Sequence, residues 1–178
     1  MPLPYSSRRR FVVTAPALAL AGVSLLTELA EAAANADPAD VALLNSGIEL
    51  ERAGIKAYTD AAATGLLTPG VLKVALGFRS DHSAHRDALI SAIRAGNGVV
   101  TDGTLKLDYP PLKTQADILQ FALHVEHLAA TKYLTIIPTL KDRDLAKAAG
   151  SILGIETTHV TLLAQALGQP PYPQPFVE

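Results

Sequence analysis

The 178-residue sequence contains no cysteine, and this absence excludes several classes of site. Disulfide frameworks, thiolate zinc sites and iron-sulfur clusters all require cysteine side chains. A basic excess is missing as well, because the formal net charge is only −2. The chain therefore lacks the electrostatic footprint of a nucleic-acid-binding protein. Histidine, aspartate and glutamate are the strong metal ligands that remain.

The alternating apolar and polar pattern of β-strands is also scarce. Beyond residue 36 it occurs only in a short segment at 104–107. Apolar residues instead recur at a spacing of three and four, which is typical of amphipathic helices. The length suits one domain, and the hydrophobic fraction of 49% is enough to build its core. The sequence therefore predicts an all-α domain.

The first 36 residues have the pattern of an export signal. A charged segment that contains Arg8 and Arg9 precedes an apolar run at 11–26, and an Ala-rich stretch then ends at Ala36. These are the n-region, h-region and A-x-A cleavage site of a signal peptide. The twin arginines, with Phe11 close behind, resemble a Tat signal. We therefore expect residues 1–36 to be cleaved after engaging the Tat export machinery, which would place the protein in the periplasm or outside the cell.

An uncleaved membrane helix is the alternative interpretation of this leader. The apolar run is shorter than the roughly 20 residues that a transmembrane helix needs. Thr14 and Pro16 also interrupt it. The pattern favours a cleaved signal for these reasons.

Capping and helix-breaking residues divide the rest of the chain into four predicted helices. Asp37-Pro38 and Thr68-Pro69 are typical helix starts, and Gly96 begins a glycine-rich end to the second helix. The predicted helices cover about residues 37–64, 68–95, 114–138 and 142–167. A long Pro-containing connection separates the second helix from the third. We predict a four-helix domain at 37–168 and a Pro-rich C-terminal tail at 169–178.

Ionisable side chains occupy the apolar seam of each predicted helix. Side chains three or four positions apart share a helix face, so these groups are expected to point inward. Buried carboxylates and imidazoles are costly unless they are paired, and a metal ion satisfies such a mixed set. The candidate metal ligands are Glu51, His82, His85, Glu126, Glu156 and His159. His124 and His127 lie off the seam and are expected at the surface or between helices, and Glu49 is expected to be a solvated partner of neighbouring Lys or Arg side chains.

The same residue types occur twice along the chain. Glu51 and Tyr58 precede a histidine pair, and Glu126 and Tyr133 precede the Glu-x-x-His of helix four. This pattern resembles the ferritin-like superfamily of di-metal carboxylate bundles, in which two helices each contribute a Glu and two contribute Glu-x-x-His. The stretch LLNSGIELERAGIKAY is similar to the first helix of secreted or periplasmic members. The resemblance covers essentially the whole chain after the leader.

The resemblance implies a fold and a set of roles. The fold is an antiparallel four-helix bundle with a long crossover between helices two and three. Glu51 and Glu126 correspond to terminal ligands, Glu156 to a bridging ligand, and His85 and His159 to nitrogen ligands. Tyr58 and Tyr133 are the candidate catalytic residues, because tyrosines near the metal in this superfamily hydrogen-bond its carboxylates or tune its redox chemistry.

His82 departs from the superfamily pattern, which has a bridging glutamate at this position. Three inner carboxylates instead of four would leave two divalent ions with residual positive charge. Imidazole is a good ligand for zinc, copper, iron or nickel, but it does not bridge as a carboxylate does. A mononuclear or asymmetric site is therefore an alternative to a dinuclear one. Asp81 ranks below His82 as a ligand, and it is a candidate acceptor for an imidazole N–H.

The leading functional hypothesis is an exported iron or manganese oxidoreductase that acts on oxygen or peroxide, as a ferroxidase, peroxidase or catalase-like protein. One alternative is a non-enzymatic periplasmic metal-binding or stress-related bundle that holds zinc or copper. Two others are a metal-free interaction module and a relic bundle whose polar core is satisfied by internal hydrogen bonds and protonated histidines. Ferritin-like bundles range from isolated proteins to large cages, so a homo-oligomer is also considered.

Overall fold

The computed structural model describes residues 37–171, and this part of the chain forms four α-helices. They are α1 (Pro38–Ala63), α2 (Pro69–Ala95), α3 (Gln115–Ile136) and α4 (Arg143–Ala166). The bounds agree closely with the sequence prediction, and the all-α class is confirmed. The predicted leader at 1–36 and the last part of the tail, 172–178, lie outside the described residues.

Local capping accounts for the helix starts. The side chain of Asp37 accepts a hydrogen bond at the start of α1, and that of Asp142 accepts two at the start of α4. Thr114 and Asp117 form a reciprocal capping box at the start of α3. The first turn of α2 begins at Pro69 without a side-chain cap. These starts were predictable because each depends on neighbouring residues alone.

The bundle core has a polar layer with one apolar cluster on either side, and a third, smaller cluster joins α1, α3 and the α2–α3 connection. Helix α1 packs against α2 and α3, and α3 packs against α4. One cluster includes Leu44, Leu89 and Leu145 and joins the start of α1 to the end of α2. The other includes Phe78 and Leu163 and lies toward the opposite end. The candidate ligands lie between the two clusters along each helix, in the middle of the bundle.

The long connection between α2 and α3 is held against α1. Asn45 Nδ2 donates to the carbonyl of Val99 at 2.9 Å, and Thr101 N donates to Asn45 Oδ1 at 2.9 Å. Arg52 donates to the carbonyls of Thr101 and Gly103. The predicted crossover is therefore docked by side chains of α1 and forms no strand within the described region.

None of the four described helices combines the length and the apolar composition needed to cross a membrane.

Asp40 connects the start of α1 to the start of α4. Its side chain is fully buried, and its oxygens accept the backbone N–H groups of Lys141 at 3.0 Å and Asp142 at 2.9 Å. Hydrogen bonds to a buried charged group are among the stronger ones, and an unpaired buried N–H is costly. Asp40 therefore fixes the α3–α4 turn against the first helix.

We expect Asp40→Ala to lower the free energy of unfolding by about 2–3 kcal/mol, because two backbone donors lose their acceptor. Urea denaturation measures the effect. Asp102→Ala is the matched control, since the Asp102 side chain is exposed and pairs with Arg52 only at 4.0 Å. The control should change stability by less than about 0.5 kcal/mol. Equal effects of the two substitutions would contradict the role of Asp40.

Candidate metal centre

The six candidate ligands converge in the middle of the bundle, one or two from each helix. Their donor atoms form two groups of four, and within each group the atoms lie within 4.8 Å of one another. Glu156 and His82 belong to both groups. The first group adds Glu51 and His85, and the second adds Glu126 and His159. The sequence prediction that these residues meet is therefore matched by the structure, although their role as ligands stays a prediction.

The two tyrosines pair with the carboxylates in an exchanged pattern. Tyr58, on the same helix as Glu51, donates its hydroxyl to Glu126. Tyr133, on the same helix as Glu126, donates to Glu51. Burial and the neighbouring carboxylate charges raise the pKa of both phenols well above their ordinary value. Each tyrosine therefore stays protonated and orients one carboxylate.

His82 lies between Glu51 and Glu126. Its Nδ1 is 2.7 Å from Glu51 Oε2, and its Nε2 is 3.3 Å from Glu126 Oε1. The ring packs against Gly54 of α1, where an added Cβ would lie 2.9 Å from two ring atoms. Real Cβ atoms do not approach so closely, so the imidazole needs a glycine at this position. His82, which departs from the superfamily pattern, therefore fits closely against its neighbours.

Glu156 is the carboxylate that the protein itself does not satisfy. Both of its oxygens are buried and have no hydrogen-bond partner among the described residues, and the same is true of His85 Nδ1. His85 Nδ1 and Glu156 Oε1 lie 2.9 Å apart, without the alignment of a hydrogen bond. Buried polar atoms are rarely left unpaired. Carboxylate and imidazole atoms that face one another without an aligned hydrogen bond fit a metal ion, which uses their lone pairs directly.

His159 is positioned by three neighbours. Its Nδ1 lies 3.3 Å from Glu126 Oε2, and its Nε2 lies 3.2 Å from Asp81 Oδ2. The ring of Phe78 stacks on the imidazole with 3.8 Å between centroids. Asp81 therefore contacts an imidazole nitrogen from outside the cluster, as expected for a carboxylate that orients a histidine. Asp81 is on α2, whereas its partner His159 is on α4.

Buried charges of both signs set the protonation of the cluster. Burial disfavours ionisation of Glu51 and Glu126, but contacts with the histidines outweigh it and lower the pKa of both. Burial raises the pKa of Glu156 above its ordinary value. Burial disfavours the charged imidazoles too, yet the carboxylates raise the pKa of His85 and of His159 to about 9. Burial disfavours the charged form of His82 as well, but its contacts with Glu126 and Glu51 outweigh burial and raise its pKa.

Two contributors were not identified from the sequence. They are Phe78, which stacks on His159, and Gly54, which makes room for the ring of His82. A signal for Gly54 exists, because a glycine in a helix interior costs about 1 kcal/mol relative to alanine and usually has a packing reason. His124 and His127 are exposed, as predicted.

The chain matches a known family along nearly all of its described length. Residues 39–169 match the model of a ferritin-like domain. A comparison with curated protein sequences finds no significant match.

Solved structures with the same fold include two bacterial proteins. A conserved hypothetical protein from Mycobacterium tuberculosis is 24% identical, with a TM-score of 0.66, and the match covers 78% of this chain and 96% of that one. A ferritin-like, diiron-carboxylate protein from Bacillus anthracis str. Ames is 20% identical, with a TM-score of 0.62, and the match covers 80% and 97%. At these identities the likeness concerns the fold.

Proposed function

The chain belongs to the ferritin-like domain family, and from that premise we propose that it is an exported protein that uses bound iron or manganese to react with oxygen or peroxide. One observation carries the proposal. The two groups of donor atoms share Glu156, whose oxygens have no hydrogen-bond partner among the described residues. A shared, unsatisfied carboxylate is what a pair of adjacent metal ions requires.

The donor set would hold two ions with one glutamate and one histidine each. Glu51 and His85 would hold one ion, Glu126 and His159 the other, and Glu156 would serve both. Iron or manganese bound there would supply redox chemistry toward oxygen or peroxide. Oxygen and imidazole donors suit both metals. The fold similarity to a diiron-carboxylate protein supports this assignment.

Residues around the donors keep the centre ordered. The phenols of Tyr58 and Tyr133 donate hydrogen bonds to Glu126 and Glu51 and so fix the direction of the remaining lone pairs. Asp81 contacts the second nitrogen of His159. Such supporting contacts commonly change metal affinity or activity by about 10–100-fold. Apolar clusters on both sides of the centre limit the access of water.

Export is the second part of the proposal. It rests on the twin arginines Arg8 and Arg9, the apolar run that follows them and the Ala-rich stretch that ends at Ala36. A Tat-type route carries folded proteins, so a bundle that acquires its metal before export would suit it.

An asymmetric zinc or copper site without enzymatic activity is the second candidate. His82 favours it, because it places an imidazole where the superfamily pattern has a carboxylate. This imidazole contacts both Glu51 and Glu126. This arrangement supplies nitrogen donors that suit zinc and copper. In this case one of the two groups of donors would hold the ion.

Metal analysis of the protein, purified without added metal or chelator, tests the proposal. We expect two iron or manganese ions per chain and consumption of oxygen or peroxide by the loaded protein. His127→Gln, which removes an exposed histidine of α3, is the matched control and should leave the metal content unchanged. One zinc or copper ion per chain without turnover would favour the second candidate. Absence of stoichiometric metal would refute both.

A further inference from the structure

A cavity of about 240 Å³ lies at one end of the bundle, beside the candidate metal centre. All four helices contribute to its wall. Its lining side chains are apolar except for the hydroxyl of Tyr58, and none of them is charged. The bundle therefore has a concave apolar site in addition to its polar centre.

The cavity opens at the surface between α2 and α4. Val74 and Leu162 line it and are 47% and 43% exposed, respectively. Gly70, in the first turn of α2, also lines it and is exposed. A molecule can therefore enter from solvent, and its binding would cover apolar side chains that are otherwise in water.

The inner wall of the cavity is also the outer wall of the metal centre. Phe78 lines the cavity and stacks on His159 with 3.8 Å between ring centroids. Tyr58 lines the cavity and donates its hydroxyl to Glu126. The two aromatic rings meet edge to face, with centroids 5.9 Å apart. A molecule in the cavity thus touches the residues that contact two candidate ligands.

We propose that this cavity binds one uncharged, apolar small molecule next to the metal centre. A charged group placed inside would find no partner to offset its loss of hydration, because the wall offers only one hydroxyl. The volume exceeds the about 150 Å³ of an apolar cavity known to bind benzene in another protein. The site therefore suits a substituted aromatic ring or a hydrocarbon chain of similar size.

Binding in this cavity does not require a metal, since no candidate ligand among the six lines it. The cavity nevertheless adds a substrate class to the proposed function, and this addition rests on the proposed function. If the centre is redox-active, the cavity places an apolar organic molecule one side chain away from the metal. The class of molecule brought to the centre would then be apolar and uncharged.

Calorimetric titration with n-butylbenzene tests the inference on the protein as purified. We expect saturable binding of one molecule per chain. Gly70→Phe should weaken it by about tenfold or more by filling the cavity. An added Cβ at Gly70 would meet no heavy atom within 4 Å, so the backbone there leaves room for a side chain to begin. Val74→Trp, a second change at the exposed mouth, should act in the same direction.

Gly77→Phe is the matched control. Gly77 lies on the same helix, is equally open around an added Cβ and does not line the cavity. Binding that is absent, or equally weak in both glycine variants, would overturn the inference. A wild-type dimer that Gly70→Phe converts to a monomer would also overturn it, because a second copy would then cover the cavity. Metal content measured on the same samples separates this result from failure of the proposed function.

Discussion

Replacement of Glu156 by glutamine is expected to abolish binding of the two proposed metal ions. Glu156 is the only carboxylate of the described residues that belongs to both groups of donor atoms. Its two oxygens are buried and have no hydrogen-bond partner within the described part of the chain. Glutamine keeps the shape of the side chain but loses the charge and one oxygen donor. The loss therefore affects both ions at once.

The expected loss of metal affinity is larger than the loss caused by replacing a residue that only contacts a ligand. Loss of a contact around a ligand commonly weakens metal binding by about 10–100-fold, so loss of the shared ligand should weaken it by about 100-fold or more. Metal analysis and competition with a chelator of known affinity measure the change. Glu49→Gln is the matched control, because Glu49 lies on α1 near Glu51 but outside both groups. Retention of two ions by Glu156→Gln would contradict the shared-ligand assignment.

Helix positions and the seam residues were predictable because their causes are local. The starts at Pro38 and Pro69 follow from neighbouring capping and helix-starting residues. The inward direction of Glu51 and Glu126 follows from the helical period alone. Both are fully buried, as their spacing indicated.

Contacts between helices were not predictable in the same way. The period places Tyr58 and Glu51 on one face, yet Tyr58 donates to Glu126 of α3. The close approach of His82 to Gly54 likewise depends on the distance between α1 and α2. Spacing along one helix carries no information about which helix faces it or how closely. The partners of each polar group therefore required the structure.

The apolar cavity was not predictable from the helical period either. Its lining residues, such as Val71 and Leu119, have the spacing of ordinary core positions. A periodic pattern identifies which side chains point inward, but it does not tell whether they fill the space between the helices. At this end of the bundle small residues such as Ala75 and Ala122 leave part of that space open.

The pH dependence of metal binding gives the second large effect. In the metal-free protein, contact with carboxylates raises the pKa of His85 and His159 to about 9 and raises that of His82 as well. Imidazoles whose pKa is raised in this way are expected to be protonated at neutral pH, whereas ligand histidines are neutral. Each histidine that becomes a ligand must therefore release its proton. Glu51 and Glu126, whose pKa values are lowered, stay ionised over the same range.

The stability of the metal-free protein should fall as the pH rises, whereas metal affinity should increase. The pKa of these histidines is higher in the folded state than the ordinary value of 6.5. Their stabilising contribution is thus complete below about pH 6.5 and is lost as the pH rises through about 9. Thermal unfolding at several pH values, with metal removed, should show a falling melting temperature across this interval.

The overall constant for binding both Mn²⁺ ions, measured anaerobically by chelator competition between about pH 7 and 8.5, should rise by about 1000-fold per pH unit if three protons are released in total. The slope identifies the role of His82. Three protons mean that it binds metal as a neutral ligand, and two mean that it stays protonated between Glu51 and Glu126. His82→Gln should lower a slope of three by one, and His127→Gln should leave it unchanged. An affinity that does not increase with pH would contradict the protonation of the metal-free cluster, since no bound proton would then compete with the ion.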